Sequence, residues 1–198
     1  MGVYTEGRTT SEPTKLTIAD RTLVILVGDI THQNTEAIVN AANSSLMGGG
    51  GVDGAIHRAG GPAILAECRQ YREKNPPLPA GRAIATIGGN LAARYVIHTV
   101  GPVWRGGESG EPETLSSCYR ESLRVADELK LKSIAFPSVS TGAFGYPVEF
   151  AAPIAVRAVT DALRHAIYVR EVRFVLFDEK TASIYRNIAA AEHSVHRT

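Results

Sequence analysis

Asn40-Ala41-Ala42-Asn43 and, five residues on, Gly48-Gly49-Gly50-Gly51-Val52-Asp53-Gly54-Ala55-Ile56-His57 bring carboxamides, bare backbone, an acid and an imidazole into one short stretch. Few structural roles require all four. Glycine loses more freedom on folding than any other residue, so four in a row mark backbone that must approach a partner closely or adopt positive φ. Residues 51–60 read as a short helix, with Val52, Ala55, Ile56 and Ala59 on an apolar face and Asp53 and His57 one turn apart on a shared side. A glycine loop opening a helix offers free N–H groups at the positive end of the helix dipole, an arrangement that holds anions.

Working outward, apolar β-rich windows alternate with helical ones. Residues 15–19, 23–28, 37–40, 83–88, 95–100, 133–137 and 172–177 read as strands, several of them apolar on both faces. The windows 62–74, 111–129, 148–166 and 179–191 read as the helices that cover them. An α/β class follows, arranged as a three-layer α/β/α sandwich. The first two strands are separated only by Asp20-Arg21-Thr22, which requires an antiparallel hairpin and makes the sheet mixed.

The chain has 198 residues and 44% hydrophobic content, which fits one domain with a substantial core. We expect that domain over residues 15–192, between polar tails at 1–14 and 193–198. A formal net charge of +1, from 21 basic and 20 acidic residues, gives no electrostatic footprint for nucleic acid. The two cysteines, Cys68 and Cys118, lack metal-ligand spacing and fit a reducing compartment. No apolar run has spanning length and the start lacks a signal-peptide core, so a cytoplasmic protein without membrane partners is expected.

Several motifs fail on context. Gly49-x-Gly51-x-x-Gly54 matches a dinucleotide fingerprint, but residues 41–48 intervene after the strand and no second strand ending in an acid follows. Walker, Gly-x-Ser-x-Gly and His-Glu-x-x-His patterns are absent from the sequence. His193-x-x-His196 sits in a polar tail and is read as unstructured rather than metal-binding. His98 lies in an apolar strand and reads as a satisfied core histidine, and Trp104 as a packing or loop-anchoring aromatic. Asp29 after Gly28 is equally well a turn cap, and Phe177 either a plain strand end or a stacking surface. A second loop, Ser138-Val139-Ser140-Thr141-Gly142-Ala143-Phe144-Gly145-Tyr146-Pro147, follows a buried strand and precedes a helix, where α/β sheets bind ligands.

Taken together, Gly28-Asp29-Ile30-Thr31, Asn40-Ala41-Ala42-Asn43, the stretch 48–57, His98-Thr99-Val100-Gly101-Pro102-Val103-Trp104 and the loop 140–147 resemble the macro domain family in order and spacing. The resemblance covers about residues 15–190 and is strongest to the MacroD-type bacterial O-acetyl-ADP-ribose deacetylases, through Val52-Asp53-Gly54-Ala55-Ile56-His57. It implies a six-stranded mixed sheet with ADP-ribose across the crest of the strands. Asp29 would accept from the adenine amino group with Ile30 beside it, and Phe177 would stack on the adenine. The backbone of Gly48, Gly49, Gly50, Gly51 and Val52 would face Ser140, Thr141, Gly142, Ala143 and Phe144 across the pyrophosphate and distal ribose. Asn40 and Asn43 would contact that ribose. Two departures are Arg58-Ala59-Gly60-Gly61, where related sequences end in Ala-Ala-Gly, and Ala143, where a larger aliphatic is common.

With no Ser–His or Cys–His pair among these residues, direct attack by water is expected, without cofactor or metal. Asp53 would orient or deprotonate that water, His57 would position it or assist proton transfer, and Asn43 would order the sugar. The scissile bond is an acyl ester on the ribose or the ester joining mono-ADP-ribose to a protein Asp or Glu, and the sequence does not choose. A non-catalytic ADP-ribose reader is the main rival, and an RNA-associated regulator would need a basic surface that the charge balance lacks.

Overall fold

Strand β3 (Ala37–Ala42) shows how the sheet is built: Ala37 and Val39 pack into one apolar cluster, Ile38 and Ala42 into another on the opposite face. A strand covered on both faces reads as an apolar run rather than an alternation, and here only the polar Asn40 interrupts it. The computed structural model describes residues 12–195; residues 1–11 and 196–198, which include much of both expected tails and His196, lie outside the described residues.

The other strands are β1 (Thr14–Ile18), β2 (Arg21–Val27), β4 (Ala83–Ile87), β5 (Tyr95–Val100), β6 (Ser133–Phe136) and β7 (Glu171–Leu176). They form one sheet of seven strands in the order β1-β2-β7-β6-β3-β5-β4. The five inner strands are parallel, and β1 and β4 pair antiparallel at the two edges. The six strands implied by the resemblance are thus corrected to seven, and each of the seven windows read from the residues becomes a strand. The β1–β2 hairpin is tighter than expected, because Ile18 pairs with Arg21 and Ala19 takes up the turn at φ 55°.

Helices α1 (Gly51–Gly60) and α2 (Pro62–Lys74) pack on one face through Ile56, Ile64 and Cys68. Helices α3 (Glu111–Glu128), α4 (Val148–His165) and α5 (Glu179–Val195) cover the other, where Tyr119, Phe136, Phe174 and Tyr185 form an aromatic centre. Burying such side chains contributes about 1.5–3 kcal/mol each relative to exposure. Helix α5 extends to Val195, so His193, read from the sequence as unstructured, is helical. In α1, Ala59 is exposed and Gly60 takes the buried place expected for it. No helix among the described residues is long and apolar enough to cross a membrane.

Candidate active site

The five parallel strands end at one crest, where the segments after β2, β3, β5, β6 and β7 meet. After β3 the chain turns to α1 on one face, and after β6 it turns to α4 on the other, although β3 and β6 are paired neighbours. Such a divergence opens a crevice at the strand ends. Neither α1 nor α4 carries a side-chain cap, so both helices bring uncapped backbone N–H groups to this crest.

Asp53, 6% exposed, stands at the floor of the crevice in the first turn of α1. Its Oδ1 accepts from Asn40 Nδ2 at 2.7 Å. His57 Nε2 lies 3.3 Å from the same oxygen, the one-turn spacing read from the sequence, but makes no hydrogen bond there. Asn40 Nδ2 also lies 3.1 Å from Nδ1 of the fully buried His98, its register partner on β5. Burial, and then the neighbouring His57, lowers the His98 pKa to about 3, so the ring is neutral. Cys68 sits 3.8 Å from His98 Nε2, and burial, followed by Asp53, raises its thiol to about 11. It remains protonated and is no nucleophile.

Asn43 is held within its own loop. Its Oδ1 accepts from Ser45 N, Ser45 Oγ and Leu46 N, and its Nδ2 donates to Gly48 O at 2.9 Å, so the carboxamide ties the loop before α1. One Nδ2 hydrogen is left for a ligand. A Cβ on Gly49 would lie 3.1 Å from Asp53 Oδ2 and 3.5 Å from Asn43 Nδ2, which places both polar atoms around one spot. Gly51 has φ +56° and nothing within 4 Å of an added Cβ, so its backbone is bare toward open space, as are Gly50 and Gly142 across the crest.

Ser140 is 6% exposed and holds φ 66°, unusual for a residue with a side chain. Its backbone is pinned by Tyr146 N donating to Ser140 O at 3.0 Å, and its Oγ lies so near Gly101 that a Cβ there would be 2.0 Å away. Thr141 Oγ1 closes the turn onto Ser138 O at 3.0 Å, while Ala143 is exposed. Trp104 anchors the loop, as read from the sequence: its N–H donates to Phe144 O at 2.9 Å and its ring packs 4.4 Å from Tyr146. Glu111, which the sequence analysis did not single out, accepts from the backbone N–H groups of Arg105, Gly107 and Ser109 and so shapes the Trp104 loop. An acid in a first helical turn reads only as a dipole partner in the sequence.

At the other end of the crest, Asp29 Oδ1 accepts from Thr31 N at 2.8 Å and Thr31 Oγ1 at 2.6 Å. The Thr31 hydroxyl bond leads in holding its carboxyl below the usual range. Asp29 is therefore a turn cap with Oδ2 left over. Ile30, expected beside a ligand, packs into the core at 4% exposure, which leaves only its backbone at the surface. Phe177 is 88% exposed at the end of β7, next to Gly28, whose N–H donates to Leu176 O at 2.9 Å.

Native interiors pair almost all buried polar atoms, so the exceptions carry information. Asn40 Oδ1, His57 Nε2 and Ser140 Oγ are buried without a hydrogen-bond partner, and all three stand at this crevice. A cavity of about 370 Å³ at the opposite end of the sheet is lined by Thr17, Thr160, Arg164 and Glu192. There Arg164 is paired with Asp161, Glu192 with Arg157, and Thr160 with Arg157 O, and among the described residues no buried unpartnered polar atom belongs to the lining.

The family model described as Macro domain matches residues 39–155. The O-acetyl-ADP-ribose deacetylase of Klebsiella pneumoniae is 54% identical over 167 residues, covering 84% of this chain and 95% of its own. A macro domain-containing protein of Streptomyces coelicolor is 58% identical over 160 residues, covering 80% and 92%. A variant of the Oceanobacillus iheyensis macrodomain, solved with ADPR, has a TM-score of 0.89 at 44% identity and covers 92% of this chain and 100% of that one. Fold and crevice define an α/β/α domain with an open crevice at the strand crest. The chain belongs to the macro domain family.

Proposed function

We propose that this protein is a hydrolase that binds ADP-ribose and removes acyl esters from it, by attack of a water assisted by Asp53. The carrying observation is the set of buried orphans: Asn40 Oδ1 and His57 Nε2, whose residues flank the Asp53 carboxylate, and Ser140 Oγ on the loop after β6. Sugar hydroxyls and phosphate oxygens supply the partners these atoms lack. Relatives named O-acetyl-ADP-ribose deacetylase, and a neighbour solved with ADPR, support the same ligand.

In this reading the uncapped start of α1 and the bare backbone of Gly48, Gly49, Gly50, Gly51 and Val52 take one side of the pyrophosphate. The 140–144 loop takes the other side, and Phe177 and Asp29 receive the adenine. Asp53 Oδ1 is engaged by Asn40, so Oδ2 is the oxygen left to accept a proton from water. The hydroxide adds to the ester carbonyl, the carbonyl–ribose oxygen bond breaks, and the ribose oxygen takes the proton back from Asp53. His57, whose unpartnered Nε2 lies 3.3 Å from Oδ1, assists the proton transfer, and the free Nδ2 hydrogen of Asn43 orders the sugar. The same chemistry extends to the ester between mono-ADP-ribose and a protein Asp or Glu.

Incubation with O-acetyl-ADP-ribose and with a mono-ADP-ribosylated Glu/Asp protein tests this directly. Release of acetate with free ADP-ribose, or of unmodified protein, is expected. Tight ADP-ribose binding with neither product would make the domain a reader instead.

A further inference from the structure

We propose that His98, backed by Thr86, is a positioning residue that fixes which end of the Asn40 carboxamide faces Asp53, and so aims the Asp53 carboxylate; this deepens the hydrolase reading above and rests on it.

The parallel register of β3 and β5 sets Asn40 opposite His98, and both side chains are fully buried. Asn40 Nδ2 has two contacts, Asp53 Oδ1 at 2.7 Å and His98 Nδ1 at 3.1 Å. A carboxamide nitrogen has two hydrogens and accepts nothing, so both contacts are donated and His98 Nδ1 must be the bare nitrogen. The neutral ring then carries its hydrogen on Nε2. Nε2 lies 2.9 Å from Thr86 Oγ1, whose own hydroxyl donates to Ile87 O at 3.2 Å. The donor direction is therefore set at every link: Thr86 to the Ile87 carbonyl, His98 to Thr86, and Asn40 to both His98 and Asp53.

The reversed amide fails at each link. Asn40 Oδ1 would then face the Asp53 carboxylate, and His98 could donate to it only through the other tautomer. That tautomer leaves Nε2 bare against a Thr86 hydroxyl already committed to Ile87 O, with only the weak thiol donor of Cys68, 3.8 Å away, to face it. A buried repulsion or an unmade bond costs about 1–3 kcal/mol, enough to lock the orientation. The locked orientation also explains why Asn40 Oδ1 is one of the buried atoms without a partner, since the lock turns the donor end of the amide to both Asp53 and His98. An apolar residue at position 98 would suit the core cluster around Val96 and Val100, and only an acceptor at the Nδ1 position meets the requirement of Asn40.

The test uses two substitutions of equal shape. His98→Asn keeps an acceptor near the Nδ1 position, whereas His98→Leu removes it, and both leave the same void beside Thr86. With O-acetyl-ADP-ribose, His98→Leu should lower kcat by about 10–100-fold, the range seen when an outer-shell partner is lost elsewhere, with KM moving far less. His98→Asn should retain most of the native kcat. Imidazole ¹⁵N shifts of the native protein should report bare Nδ1 and protonated Nε2 at neutral pH, and Thr86→Val should introduce the other tautomer. Equal losses in the two His98 variants, native turnover in His98→Leu, or a protonated Nδ1 in the native protein would overturn the assignment. If the native protein hydrolyses neither ester, the hydrolase reading fails on its own, while the tautomer measurement still decides the amide lock.

Discussion

Asp53 Oδ1 lies 2.7 Å from Asn40 Nδ2, a bond that joins the first turn of α1 to the middle of β3. His57, its neighbour one turn along the same helix, comes no nearer than 3.3 Å. The acid is thus held by the sheet rather than by its helix-mate. That geometry leaves Oδ2 beside the glycine loop, where a Cβ on Gly49 would be 3.1 Å away.

Gly51 tests the first anion cradle. A Cβ at Gly51 meets nothing within 4 Å in the free protein, so Gly51→Val costs chiefly the backbone strain of a β-branched residue at φ +56°, about 1–3 kcal/mol. The branched side chain enters the space assigned to phosphate, and calorimetry should show a clear loss of ADP-ribose affinity. Unaltered affinity would count against the cradle.

Phe177 supports nothing in the fold at 88% exposure, so Phe177→Ala should leave stability within about 0.5 kcal/mol. Loss of base stacking should weaken ADP-ribose binding by about 1–3 kcal/mol. Ribose 5-phosphate, which has no base, should bind both proteins alike.

His98 links stability to pH. Its pKa is about 3 in the fold, against 6.5 unperturbed, chiefly through burial and then through His57. Below pH 6.5 the unfolded chain takes up a proton that the folded chain refuses, so stability falls as pH falls, until the folded state also protonates near 3. Urea unfolding at about pH 7 and pH 5 should show the native protein losing about 2 kcal/mol more than His98→Asn. Parallel losses would place the protonation elsewhere.

Glu111 gathers three backbone N–H groups of the loop that carries Trp104, and Trp104 in turn holds Phe144 O. Glu111→Gln should speed amide exchange at Arg105, Gly107 and Ser109 and weaken ADP-ribose binding, with kcat at saturation unchanged. A fall in kcat at saturation would assign Glu111 to the chemistry instead.

The layered fold was legible because strands such as β5 and helices such as α2 have the bounds that hydrophobic period alone predicts. The Asp53–His57 spacing was legible for the same reason, since helical geometry is local. The pairing of Asn40 with His98 was not, because it depends on the register of two strands 58 residues apart, and each residue taken alone has an ordinary explanation. Ile30 illustrates the remaining gap: only tertiary packing decides that its side chain turns inward. Thr86 carried no signal, as a threonine in an apolar strand has nothing to mark the imidazole it will meet.

The most direct measurement is single-turnover hydrolysis of O-acetyl-ADP-ribose by the native protein and by Asp53→Asn, with ADP-ribose affinity measured on both. The isosteric amide keeps an acceptor for Asn40 but cannot take a proton from water, so the rate should fall by about 10²–10⁴ while affinity is retained. Native-like turnover by Asp53→Asn would contradict the assignment of Asp53 as the group that activates water.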